Sequence, residues 1–213
     1  GLNGEFIVSP RLDDLQCVFG CLEGFLAAKP GGSLPVLAVF NNEEVGSNTR
    51  QGADSTFLTD VLERIAHGCG LDSEAWKAAV ANSFMVSADN AHAIHPAHPE
   101  YADKGEFPVL GGGIVIKYNA NQRYTTDAVS GAVFQAICQE AGVPVQRYSN
   151  RADLPGGSTL GSIAGTLVPV STVDIGLAQL AMHSCYETAA VSDAVDLENA
   201  MAAYYGATLE ATQ

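Results

Sequence analysis

Two adjacent carboxylates, Glu43 and Glu44, follow the short apolar run Val36–Phe40 and precede Gly46, a turn residue. A run of that length and β-branched content predicts a buried strand. Neighbouring side chains of a strand point to opposite faces, so a Glu-Glu pair at its end can do two jobs. One carboxylate can hold a metal ion while the other takes a proton from that ion's water. The competing reading of the pair alone is a solvated acidic turn, and other residues decide between them. Asp89 ends a second apolar run that starts at Ser83. Asp13 opens an apolar-periodic segment, where it can also serve as a helix cap. His183 lies in a loop. A mixed carboxylate and imidazole set of Asp13, Glu44, Asp89 and His183 suits zinc, manganese or cobalt, whereas all-oxygen sets suit magnesium or calcium. Two such ions about 3.5–4 Å apart need a shared ligand, usually a carboxylate.

Other residues of chemical interest read less sharply. His92, His95 and His98 are interrupted by Pro96 and Pro99, so no continuous helix can present all three to one ion. Pocket lining and hydrogen bonding compete with metal ligation for them. Lys117, near the end of an apolar strand, is either a snorkelling surface residue or a pocket cation for an acidic substrate. The Gly111-Gly112-Gly113 run lacks the spacing of phosphate-binding loops, which argues against a nucleotide site.

The elements that must position these groups alternate between strand and helix. Strands are expected at Glu5–Ser9, Val36–Phe40, Ser83–Asp89, in the segment after Gly113, and at Val143–Tyr148. A first helix should bury Leu15, Val18, Phe19, Leu22, Phe25 and Leu26. A second should bury Phe57, Leu58, Val61, Leu62 and Ile65. A shorter helix is expected over Trp76–Val80. Another, capped by Thr125 or Thr126, should bury Val129, Val133, Phe134, Ile137 and Cys138. A last one runs from about Ser192 to Tyr205, with Asp193, Asp196 and Glu198 at its favourable N-terminal end. Loop 151–161 is rich in small residues that let a substrate backbone come close. This alternation predicts a single three-layer α/β/α domain around a mixed central sheet.

Composition bounds the function. The 213 residues suit one α/β domain, and 47% hydrophobic residues support a folded core. A net charge of −14, from 24 acidic and 10 basic residues, argues against nucleic-acid and anionic-membrane partners. Five cysteines without framework spacing point to a reducing, cytoplasmic setting. No long uncharged apolar window predicts a membrane span, and the first residues lack the pattern of a secretory signal.

Six blocks in order carry a family likeness: Arg11–Leu15, Asn42–Ser47, Ser87–Pro96, Ile116–Tyr124, Pro155–Gly161, and Val173–Gly176 with Ala181–Ser184. Together they resemble the aspartyl aminopeptidase family of dinuclear zinc exopeptidases. The resemblance implies Asp13 as the bridging ligand, Glu44, Asp89 and His183 as further zinc ligands, and Glu43 as the general base. It also implies that His92 and His95 line the site, that Lys117 holds the acidic side chain of the substrate's first residue, and that Met182 borders the same pocket. The implied reaction removes N-terminal Asp or Glu from peptides, and the full-length family forms homo-oligomers.

Three departures stand out: Asn41 where the family has Asp, Asp14 where it has Asn, and Gly156 where it has Cys. By the same resemblance, residues 1–213 match only the C-terminal part of the catalytic domain. The dimerisation domain and an upstream segment carrying another zinc-binding His have no counterpart here. Missing sheet strands and impaired metal binding, with one ion or none, are therefore expected. Two other readings stay open: a non-catalytic fragment or assembly subunit, and a related exopeptidase or deacylase with a different substrate.

Overall fold

The computed structural model describes residues 1–29 and 31–209. Strand β1 (Phe6–Ser9) turns directly into helix α1 (Leu12–Ala27). Helices α2 (Phe57–Gly68) and α3 (Ser73–Ala81) precede strands β2 (Phe84–Ala88), β3 (Ala91–His92) and β4 (Ile114–Tyr118). Then come α4 (Ala128–Ala141), β5 (Val145–Ser149), α5 (Leu160–Leu167), β6 (Ser171–Gly176), β7 (Ala178–Leu180), β8 (Glu187–Ala190) and α6 (Val191–Gly206).

The α/β class is as expected, but the strands form two four-stranded mixed sheets, ordered β2-β6-β4-β5 and β1-β8-β7-β3. The two sheets share a crease. The pair β2–β6 continues past Asp89 and Asn90 into the pair β3–β7, parallel in both halves. Gly176 permits the bend, because a side chain there would collide with the Asp89 carbonyl. Asp89 thus sits at the fold line, its amide still bonded to the Ile175 carbonyl at 3.0 Å.

Strand alternation sorts the two faces of the β2-β6-β4-β5 sheet. Ile114 and Ile116 of β4, with Val173 and Ile175 of β6, pack with Cys17 and Cys21 of α1, Phe134 and Cys138 of α4, and Leu197 and Met201 of α6. On the other face Lys117 and Asp174 are fully buried, and Gly161 at the start of α5 abuts Asp174 and Ser87. Helices therefore cover both faces, giving the expected three layers.

Several expectations are corrected. Val36–Phe40 forms no strand. Among the described residues, no backbone group of 34–40 bonds to another backbone group, and Glu43–Val45 is a single 3₁₀ turn. The run is extended as its composition predicts, yet β2 offers its one paired edge to β6, and a strand needs a hydrogen-bonded neighbour. Between this run and β2 lies an apolar cavity of about 490 Å³, walled also by Leu58 and Leu62 of α2.

The buried face of α1 is not its Leu/Phe stripe. Leu15, Phe19, Leu22 and Leu26 are exposed, while Cys17, Gly20, Cys21 and Gly24 are buried against α6. Small residues let the two helices approach closely: a Cβ on Gly24 would lie 2.5 Å from the Met201 Cβ. In α2, Phe57, Val61 and Ile65 are likewise exposed, and only Ala66 is fully buried.

Asp127, rather than either threonine, caps α4 through a reciprocal capping box with Ser130. Thr125 and Thr126 instead bond to Asp174. Asp193 does more than favour the α6 dipole. Fully buried, it accepts the Gly111 and Gly113 amides at 2.9 and 3.0 Å and so anchors the loop leading into β4.

Candidate metal centre

Irregular backbone delivers each charged group to the crease between the sheets. Asp13 and Asp14 have non-helical φ/ψ at the start of α1, and neither makes a side-chain cap, so the cap reading of Asp13 does not hold. Glu43 and Glu44 ride on the 3₁₀ turn, whose flanking Asn42 and Gly46 are both left-handed. Asp89 sits between β2 and β3, and His183 occupies the loop between β7 and β8 with φ 67°.

Among the described residues two ligand-capable triads result: Asp13, Glu44 and His183, and Asp13, Asp14 and Asp89. Within each, one donor atom per residue lies within 4.8 Å of the others. Asp13 belongs to both. The His183 Nε2 lies 3.1 Å from Asp13 Oδ2 and 3.0 Å from Glu44 Oε2. The structure therefore brings Asp13, Glu44, Asp89 and His183 together from distant parts of the chain, and adds Asp14, which the sequence marked only as a departure from its family.

The electrostatics suit a cation. Burial, then the charges of Asp89 and Glu44, push the Asp13 carboxyl up to about 8. Burial, then Asp89 and Glu44, raise Glu43 to about 7. Asp14 is raised well above the usual carboxylate range, first by burial and then by Asp89. Asp13 Oδ1 and Asp14 Oδ1 are buried with no hydrogen-bond partner among the described residues. Crowded carboxylates with orphaned oxygens and an imidazole nearby form a donor set that fits zinc.

Beside this cluster, Lys117 is 2% exposed. Its Nζ donates to Asp89 Oδ2 at 3.2 Å and to the Asn90 carbonyl at 2.8 Å, and it lies 5.2 Å from the centroid of the Tyr124 ring. Burial alone would lower its pKa, but Asp89, Tyr124 and Asp174 outweigh that and hold the ammonium charged. The snorkelling reading is therefore wrong: the ammonium itself is enclosed by Asp89, Asn90 and the Tyr124 ring and does not reach solvent. Asn90 knits the crease, donating to the Leu12 carbonyl at 3.0 Å and to Gln179 Oε1 at 2.6 Å, and accepting from the Cys17 thiol at 3.2 Å.

His92, on β3, keeps an exposed side chain, while desolvation by neighbouring protein, Lys117 and His183 hold its imidazole below the usual value. Met182 is half-buried next to His183. His95 is exposed, accepts the Ala97 amide and stacks 5.5 Å from the His98 ring. The structure does not bring it into either triad. Asp174, which lies in the Val173–Gly176 block but is given no role there, accepts from the Thr125 amide at 2.6 Å and hydroxyl at 2.8 Å and from the Thr159 hydroxyl at 2.6 Å. It thereby joins the Tyr124 turn to the Gly156–Thr159 loop. No spacing rule could have found it, because it ties together separate segments of the chain.

Known proteins extend the picture. A family model described as aminopeptidase I zinc metalloprotease (M18) matches residues 1–206. A probable M18 family aminopeptidase 2 of Clostridium acetobutylicum is 47% identical over 205 residues, covering 96% of this chain and 47% of its own length. The chain thus spans about half the length of the curated relatives it matches. The M18 aminopeptidase of Thermotoga maritima superposes with a TM-score of 0.88 at 27% identity, covering 96% of this chain and 47% of that one. The S. cerevisiae mApe1 dodecamer does so with a TM-score of 0.79 at 28% identity, over 96% of this chain and 47% of that one. Aspartyl aminopeptidases fall within the same family, in line with the resemblance carried by the six sequence blocks. Metal-capable triads, fold and sequence agree: this chain belongs to the aminopeptidase I zinc metalloprotease (M18) family.

Proposed function

We propose that residues 1–213 form the C-terminal part of the catalytic domain of a zinc aminopeptidase that removes acidic residues from peptide N-termini. The observation that carries the reading is the convergence of two metal-capable triads on Asp13. In this reading Asp13 would be the shared ligand, and Glu44, Asp89 and His183 would complete the set that holds zinc. Zinc, when bound, acts as a Lewis acid that acidifies water and polarises a carbonyl.

The chain's own residues do the rest. Glu43, on the 3₁₀ turn beside this cluster and with its carboxyl raised first by burial, would accept a proton from water and hand it on to a leaving amine. The free amine of a peptide N-terminus would be read by carboxyl groups at this end of the crease. Lys117 provides positive charge for an acidic side chain, with His92, His95 and Met182 on the substrate side. The setting is a cytoplasmic one, supported by five free thiols, of which Cys69 and Cys185 are exposed. A homo-oligomer is supported by the yeast dodecamer and by the exposed apolar rows of α1 and α2.

The test is release of aspartate from an Asp-initiated peptide by the zinc-supplemented chain. It should be abolished by chelator, and Glu43→Gln should lower it about 10²–10⁴-fold while zinc stays bound. Activity unchanged in Glu43→Gln refutes the assignment.

One observation favours a second reading. Lys117 already spends two N–H groups on Asp89 and Asn90, which suits an exopeptidase or deacylase with no acidic preference. Equal turnover of Asp- and Leu-initiated substrates would select it.

A further inference from the structure

Glu187 opens β8 and is 2% exposed. Its Oε2 accepts the backbone amide of Asp13 at 3.1 Å, and its Oε1 accepts the backbone amide of His183 at 2.8 Å. One buried carboxylate therefore spans two amides from opposite ends of the chain, both in irregular backbone. The antiparallel β1–β8 ladder explains how. Ser9 pairs with Glu187, so the chain leaving β1 passes over the Glu187 side chain before reaching Asp13. On the other side, His183 turns back four residues before Glu187 in a left-handed conformation. Above this tie the two side chains meet, Nε2 to Oδ2 at 3.1 Å.

We propose that Glu187 is a positioning residue that sets the separation and orientation of Asp13 and His183 for one cation. The inference rests on the zinc reading above. A carboxylate there adds its negative charge to a cluster that already holds Asp13, Asp14, Glu44 and Asp89, a cost that a bound cation offsets. A neutral Gln would match its shape. What a Gln lacks is the second acceptor: its amide nitrogen would face an N–H donor, and only one of the two backbones would stay tied. The negative charge also favours a cation at the site it frames. Partners one step behind the ligands characteristically govern metal affinity, about 10–100-fold on removal.

The test compares Zn²⁺ affinity, by competition with a chromophoric chelator, for the wild-type chain, Glu187→Gln and Phe134→Leu. The last is an α4 core change that loosens the fold away from the crease. Glu187→Gln should weaken Zn²⁺ binding about tenfold or more and alter the visible spectrum of the Co²⁺-substituted chain. Phe134→Leu should lower the melting temperature and leave both readouts unmoved. Unchanged Zn²⁺ affinity and Co²⁺ spectrum in Glu187→Gln overturn the proposal alone. Absence of Zn²⁺ binding by the wild-type chain overturns it together with the zinc reading. Should Glu187→Gln not fold, hydrogen exchange on the wild-type chain decides: the Asp13 and His183 amides should exchange about tenfold or more slowly than in a free peptide, and free-peptide rates refute the tie.

Discussion

Replacing Lys117 by Met removes one charge from the crease and nearly preserves side-chain length. In the wild-type chain the ammonium is buried, 3.2 Å from Asp89 Oδ2 and 2.8 Å from the Asn90 carbonyl. The Lys117→Met substitution leaves the Asp89 carboxylate without its counter-ion and the carbonyl without a donor. Breaking one half of a buried pair costs about 3–5 kcal/mol. For a domain of this size each kcal/mol shifts the melting temperature by about 2–4 °C, so the metal-free Lys117→Met chain should melt about 6–20 °C lower. A cation held by Asp89 replaces the lost charge, so saturating Zn²⁺ should recover part of that gap. Melting curves in EDTA and in Zn²⁺, read by fluorescence, measure both quantities. A shift under about 2 °C in EDTA would show that Asp89 does not depend on Lys117. A gap that zinc leaves untouched would show that Asp89 does not face the metal. The same variant, assayed on Asp- and Leu-initiated substrates, should lose the acidic preference if Lys117 reads the substrate's charge.

Without metal, stability should fall with pH. Asp13 and Glu43 are raised from 3.8 and 4.5 to about 8 and about 7, so both bind protons more tightly folded than unfolded. The stability they contribute is complete below about pH 4 and is lost as pH rises through about 7 and 8. The melting temperature of the EDTA-treated chain should therefore drop between about pH 5 and pH 8.5, and Zn²⁺ should cancel the drop; a flat profile contradicts the raised values. Gly24→Ala, which stabilises an ordinary helix by up to about 1 kcal/mol, should here destabilise by about 1–3 kcal/mol, because its methyl meets Met201 at 2.5 Å. A rise in melting temperature would mean that α1 and α6 do not pack this closely. Asp193→Ala should strand the Gly111 and Gly113 amides at a cost of about 2–5 kcal/mol and speed hydrogen exchange in the loop before β4. Unchanged exchange there would count against the anchor.

What the sequence determined by itself was the identity of most elements and the family, because both are written locally. Apolar runs such as Ile114–Ile116 and periodic helices such as α4 declare themselves through side-chain spacing alone. The six motif blocks likewise needed no coordinates to suggest a shared chemistry. What only the tertiary structure decided was who neighbours whom. Val36–Phe40 has the composition of a strand but no hydrogen-bonding partner, and hydrogen-bonded pairing is a non-local property. The Leu/Phe stripe of α1 is apolar, yet the glycine face lies inside, because close helix approach rewards the smaller surface. Asp14 and Asp174 lie inside the motif blocks without a role assigned to them, and Glu187 lies outside the blocks altogether. Their roles arise where a crease between two sheets gathers distant segments, and the electrostatics of a buried acidic cluster exist only once that gathering has happened.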